Sequence, residues 1–217
     1  MRVVSLNVGL PREIISNGRT VTTGIFKKPV EGPVRLLTLN LEGDRQADLR
    51  VHGGVHKAVY AYPSEHYEYW RREVRDADLA WGAFGENLTV EGFKESEVNI
   101  GDRFRIGSAE LMVTQPRLPC YKLALKFQRD DIIKRFLDSR LTGFYFSVLK
   151  EGELAAGDAI EIVGRDSNNF TVADVTRLFL EGEDDIEGLR RALTVEALPE
   201  SWKTHFEREI EKLSAED

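Results

Sequence analysis

Cys120, the only cysteine of the chain, sits in QPRLPCYKL (Gln115–Leu123), directly after Pro119 and between Arg117 and Lys122. Neighbouring cations favour a thiolate, and a thiolate is both a nucleophile and a ligand for soft or redox-active metals. The alternative is a packing residue, because free cysteines are usually buried and inert. A Pro-x-x-Pro-Cys turn after a strand end suits chemistry better than mid-strand packing. A single cysteine excludes an internal disulfide, dithiol redox chemistry and a four-thiolate metal site. Any metal on Cys120 must draw its other ligands from elsewhere. This cysteine usage also makes a reducing cytoplasm the expected compartment.

The densest polar cluster is GDRQADLRVHGGVHKAVYAY (Gly43–Tyr62). It packs Asp44, Arg45, Gln46, Asp48, Arg50, His52, His56 and Lys57 between apolar runs. A connection that long and polar either lines a site or is a solvated loop. Gly53 and Gly54 allow a ligand to approach the main chain. His52 and His56 stand at i, i+4, but the two glycines between them disfavour the helix that a paired metal site would need. In AWGAFGENLTV (Ala80–Val90), Asn87 offers an amide donor and acceptor, unless the stretch is simply a turn before a strand. In TGIFKKPV, Lys27 and Lys28 precede Pro29, where lysines can bind phosphate as point charges. His66 and His205 fall on expected helices and read as ordinary partly buried residues.

These residues need elements to hold them. Short apolar runs separated by Gly-Asp turns read as strands: MRVVSLNVGL at the start, Val34–Leu41, Lys57–Tyr62, Arg103–Gly107, Ala109–Gln115, Gly143–Leu149 and Asp158–Val163. A Gly-Ser turn between Arg103–Gly107 and Ala109–Gln115 predicts a hairpin. NIGDRFRI and AAGDAIEI resemble each other, which repeated turn chemistry explains without an internal repeat. Two helices are predicted among the strands, in PSEHYEYWRREV and RDDIIKRFLDSR, from apolar residues at helical spacing. Many short strands and few helices suggest a closed or nearly closed barrel, mainly β, over residues 1–165.

After the polar stretch Gly164–Asn169, three short amphipathic helices are expected over residues 170–217, with Thr171, Asp184 and Ser201 as caps. Residues 166–217 hold six basic and fourteen acidic side chains, so a nucleic-acid reader is not expected there. The net charge of -7 points the same way for the whole chain. No apolar run is long enough to span a membrane, and the N-terminus lacks the pattern of a signal peptide.

Several of these stretches together resemble a MOSC domain, the module named for the C-terminal part of molybdenum cofactor sulfurase. They are GDRQADLRVHGGVHKAVYAYPSEHYEYW, FGENLTV, VNIGDRFRIGSAELMVTQPRLPCYKL and GFYFSVLKEGELAAGDAIEIV. TVADVTRLFL and ALTVEALPESWKTHFE resemble the three-helix tail of the YiiM-like subgroup. The resemblance runs from about residue 20 to about residue 213. It implies a β-barrel like that of pyruvate kinase, with a C-terminal three-helix unit. It also implies binding of the molybdenum cofactor (molybdopterin) with Cys120 as the metal ligand. His52, Gly53, Gly54 and Lys57 match the family's His-Gly-Gly-x-x-Lys/Arg stretch, whereas Val55 and His56 fall at variable positions.

The implied reaction is reduction of N-hydroxylated compounds such as 6-hydroxylaminopurine. Lys27, Lys57 and Arg117 are then candidates to neutralise the cofactor phosphate. His52, Asp48 or Asn87 are candidates to bind substrate or cofactor or to carry a proton, without an assignment among them. No flavin, haem or iron–sulfur signature is visible, so an electron-donating reductase is the expected partner. A homodimer formed through the tail is a further use the sequence leaves open. Two other functions also stay open: a sulfur carrier working through a Cys120 persulfide, and a non-catalytic cofactor carrier.

Overall fold

The computed structural model describes residues 1–16, 18–47 and 53–216. Asp48 and His52, two of the expected site residues, lie outside them. The chain begins with strands β1 (Arg2–Val8), β2 (Arg12–Ser16), β3 (Arg19–Thr23), β4 (Lys28–Pro29) and β5 (Val34–Leu36). Next come β6 (Val59–Pro63), helix α1 (His66–Glu73), β7 (Leu88–Glu91), β8 (Arg103–Ile106) and β9 (Ala109–Pro116). Helices α2 (Tyr121–Phe127) and α3 (Ile132–Ser139) lead to β10 (Phe144–Lys150), β11 (Gly152–Leu154) and β12 (Ile160–Gly164). The chain ends with α4 (Val172–Glu181), α5 (Ile186–Leu193) and α6 (Glu200–Glu216).

Eight strands form one sheet in the order β12-β8-β9-β10-β6-β7-β1-β4. Its pairs are antiparallel except for the parallel pair β6–β7. The sheet curls until Arg2 forms an antiparallel bridge with Ala159. Val3 N donates to Asp158 O (2.9 Å) and Ile160 N to Met1 O (3.0 Å). Sheet-dominated architecture with a helical C-terminal part is what the sequence led us to expect. The expected closed barrel does not appear as a continuous ladder among the described residues: the strand order runs from β12 to β4, and a single bridge links β1 to the residue before β12. The Gly-Ser hairpin is present, with Ile106 opposite Ala109. The two similar Gly-Asp segments lead into β8 and β12, which pair with each other.

Four expectations need correction. Val34–Leu41 is strand only as far as Leu36, because Leu37 N turns back to donate to Asn40 O at 2.9 Å. A third helix, α2, begins immediately after Cys120. Asp185, not Asp184, caps α5, with Gly188 N donating to its Oδ1 (2.8 Å). Ser201 lies inside α6. Thr171 caps α4 as expected, in a reciprocal capping box with Asp174.

Apolar burial divides into two clusters. The larger lines the inside of the curl with Phe93, Phe104, Phe144 and Phe146 and continues without a break into Phe170, Val175, Leu189, Trp202 and Phe206 of the tail. Ile100 N donates to Phe170 O (2.8 Å) and Val172 N to Val98 O (3.0 Å), which fixes where the tail starts. The smaller cluster packs Tyr60 and Tyr62 of β6 against Trp70, Phe84, Leu123 and Phe136. Trp70 Nε1 donates to Tyr62 Oη at 2.6 Å, so the indole N–H is satisfied within the cluster. This cluster forms the rigid floor beneath Arg117.

Candidate functional site

Strand β9 ends at Pro116, α2 starts at Tyr121, and Cys120 is the extended residue between them. It is partly exposed and lines two cavities.

The first cavity, about 100 Å³, gathers Lys27, Gly53, Asn87, Arg117 and Cys120 of the expected residues. Arg45, Gln46, Lys122, Thr23, Tyr60 and Tyr145 add further polar groups to its lining. Two glycines allow its walls to close up. A Cβ on Gly24 would stand 2.4 Å from Arg45 O. Gly85 has a positive φ (82°), and a Cβ there would meet Ile25 Cγ1 at 2.8 Å.

Arg117 is the most unusual side chain of the lining. It is buried, with its guanidinium 5.3 Å from the ring centroid of Tyr60 and 4.9 Å from that of Phe136. Its Nη1 is the one buried side-chain polar atom among the described residues without a hydrogen-bond partner. Buried donors are nearly always paired, so this one suits a bound acceptor. Burial raises the phenols of Tyr60 and Tyr145, and the Arg117 charge only partly offsets this. Both rings therefore keep their protons at neutral pH.

Lys27 is already paired. It is ion-paired with Asp44, which also accepts from Gly9 N (2.9 Å) and Asn87 Nδ2 (2.9 Å). Burial lowers the Lys27 ammonium, and Asp44 offsets part of the shift. Asn87 is likewise engaged: its Oδ1 accepts from Tyr60 N (3.1 Å) and its Nδ2 also reaches Asn7 O (3.3 Å). It lines the cavity, but as a strut between β6, β1 and Asp44 more than as an idle amide.

Sequence reasoning missed Lys126. From α2 it donates to Ile25 O (3.0 Å) and to Gly82 O (2.5 Å). Burial, with Lys27 and Arg117 nearby, lowers it to about 8. Near the cavity, Lys27, Lys126 and Arg117 thus face two buried carboxylates, Asp44 and Glu86, leaving an excess of positive charge. Glu86 is committed to Gly82 N (2.8 Å), Phe84 N (3.0 Å), Thr89 Oγ1 (2.9 Å) and Tyr67 Oη. The signal for Lys126 was helical spacing: Lys122 and Lys126 lie one turn apart after Cys120.

The second cavity, about 430 Å³, lies between the end of β9 and the tail. Lys57 opens here and not beside Lys27, and burial lowers its ammonium. Gly54 precedes the 3-10 turn Val55–Lys57 and lines neither cavity. The His56 side chain is exposed, while its carbonyl accepts from Thr114 Oγ1 (2.7 Å) and Gln115 Nε2 (3.0 Å). His66 is buried against Glu95 (2.8 Å), away from both cavities. His205, read as an ordinary helix residue, stands in the second cavity's wall. No three described His, Cys, Asp or Glu residues come together as a metal site. No described helix is long and apolar enough to cross a membrane.

A curled sheet with a cation-lined cleft at the end of β9 and three helices behind it defines a class of protein that comparison with known sequences identifies. Residues 48–161 match the MOSC domain, and residues 170–213 match the YiiM-like, 3-alpha helix domain. The chain belongs to the YiiM-like MOSC domain family. It is 41% identical over 211 residues to YflK of Bacillus subtilis, covering 97% of this chain and 95% of that one. The crystal structure of YiiM from Geobacillus stearothermophilus superposes with a TM-score of 0.81 at 34% identity, covering 96% of this chain and 98% of that one. A Gibberella moniliformis protein named "Reductase" is 35% identical over 164 residues, which are 74% of this chain and 29% of that longer protein.

Proposed function

We propose that the chain reduces N-hydroxylated compounds such as 6-hydroxylaminopurine, using a molybdenum cofactor that Cys120 ligates. The observation that carries this reading is the position of Cys120 on a cleft beside the buried Arg117, whose Nη1 has no partner among the described residues. The residues suit the group. Cys120 provides a soft ligand, while Arg117, Lys122 and Arg45 surround space for its phosphate. The cofactor would supply the two-electron chemistry that removes oxygen from an N–O group.

The chain's own residues do the rest. Arg117 holds the anion against the rigid floor of Tyr60 and Phe136. Tyr145, kept protonated by burial, offers its Oη proton as a hydrogen-bond donor beside Cys120. Lys27 and Asn87 hold Asp44 and the β1–β6 wall in place, a supporting role. Proton delivery falls to His52 of the family's His-Gly-Gly stretch, or to Asp48 or Asn87. Electrons come from a separate reductase. Membership of the MOSC family and a relative named "Reductase" support the reaction class. We place the protein in the cytoplasm and leave the tail available for a homodimer.

The test is molybdenum and pterin analysis of gently purified protein, followed by reductant-driven turnover of 6-hydroxylaminopurine. Stoichiometric pterin with turnover supports the reading. Pterin without turnover would make the protein a carrier. A persulfide on Cys120 without pterin would make it a sulfur donor.

A further inference from the structure

Three walls of the first cavity come from distant stretches of chain: residues 23–27, residues 84–87, and the turn from Arg117 to Lys122 that enters α2. The first two already touch. A Cβ on Gly85 would meet Ile25 Cγ1 at 2.8 Å, and one on Gly82 would meet Lys27 O at 3.1 Å. The third is joined to both through one atom. From the far end of α2, Lys126 Nζ donates to Ile25 O (3.0 Å) and to Gly82 O (2.5 Å).

Neither carbonyl lacks a donor of its own. Ile25 O also accepts from Lys27 N (3.0 Å), and Gly82 O from Gly85 N (3.0 Å). The ammonium is therefore not needed to satisfy them; what it adds is the link between them. As a mere filler it would be a poor choice, because an apolar side chain of similar length packs without a charge to desolvate. The charges around it are Glu86, which favours the ammonium, and Lys27, Arg117 and Arg12, which oppose it. Charge-assisted hydrogen bonds are the stronger kind and add geometric specificity. Helix α2 carries the hold back to the site: Leu123 N donates to Cys120 O (2.8 Å), and Leu123 is buried in the aromatic cluster.

We infer that Lys126 is a positioning residue, which sets the width of the cleft in which Cys120 stands by tying α2 to both opposite walls. The use of that width rests on the reductase reading, since a site displaced by about 1 Å loses much of its power. The tie itself does not rest on it.

The test compares Lys126→Met, which keeps a stem of similar length without donors, and Lys126→Arg, which keeps charge and donors. Amide hydrogen exchange of the cofactor-free chains is read by mass spectrometry. In Lys126→Met, residues 24–27, residues 82–86 and α2 should all exchange about tenfold faster, with β8 and β9 unchanged. Lys126→Arg should bring all three stretches back toward the wild-type rates. Pterin content of the chains as purified should fall in Lys126→Met and recover in Lys126→Arg, with the melting temperature of the methionine variant no lower than that of the wild type. Wild-type exchange in Lys126→Met would overturn the inference. So would faster exchange confined to α2, because the ammonium would then serve its own helix alone. If the wild-type chain carries no pterin, the reductase reading fails, and exchange of the cofactor-free chains still decides the tie.

Discussion

Arg117 brings a positive charge into a space walled by aromatic rings, and its Nη1 has no hydrogen-bond partner among the described residues. A buried, incompletely paired charge destabilises a fold. Arg117→Met should therefore leave the melting temperature of the cofactor-free chain unchanged or raise it by a few degrees, while pterin content falls sharply. Calorimetry on the cofactor-free chain and pterin analysis of the chain as purified check both; a variant that unfolds readily would show that the guanidinium is structural. Cys120 is only half-buried, so Cys120→Ser should fold almost normally. Its hydroxyl is a poor replacement for thiolate, and turnover of 6-hydroxylaminopurine should fall by orders of magnitude. Wild-type turnover in that variant would remove the cysteine from the chemistry.

Lys126 gives a pH dependence with a definite sign. Its folded-state value of about 8 lies below the 10.5 of an exposed lysine. Between those values the unfolded chain holds a proton that the folded chain has lost, so stability rises with pH through that window. Below about 8 the destabilisation is fully present. Lys126→Met should flatten this rise by no more than about 3 kcal/mol, read from urea unfolding at pH 7 and pH 10. An unchanged slope would contradict the burial of the ammonium. Composition around Cys120 was enough to single out Arg117, which does line the cleft. It could not show that Lys27 and Asn87 are already engaged with Asp44, because those partners are 17 and 43 residues away from it.

Among the elements, α4 carries the clearest local signal. Thr171 and Asp174 satisfy each other's backbone N–H groups, at 3.0 and 2.9 Å. Thr171→Ala should cost about 1 kcal/mol. For a chain of this length that lowers the melting temperature by roughly 2–4 °C; no change would mean that tertiary packing alone holds the helix end. This cap was legible because its chemistry lies within four residues. Helix α2 was not: Tyr121–Phe127 is short, and a helix of seven residues is held by tertiary packing more than by propensity. Burial of Leu123 in the aromatic cluster supplies that packing, and no local window contains it. The early end of β5 is set by the turn that follows it, but its pairing partner β11 lies more than a hundred residues away and no local window shows it.

At the scale of the molecule, the tail shares the sheet's apolar cluster, so the chain should unfold in one transition. Trp fluorescence and far-UV circular dichroism should give coincident urea curves. Two separated transitions would show an independent tail. A chain cut before Phe170 would expose part of that cluster and should aggregate. The alternation of short strands and turns made the sheet-dominated class readable, and amphipathic spacing made the tail readable. Their fusion into one core was not, because it depends on which faces meet.

Gln115 adds something that apolar packing lacks. An amide has one accepting end and one donating end: the tail's indole takes the first, and the backbone just after the His-Gly-Gly stretch takes the second. Hydrophobic contact has no direction and would tolerate a tail rotated or slid by one turn. This polarised link does not. It fixes the tail's register along β9, and with it the orientation of the ring that closes the larger cavity.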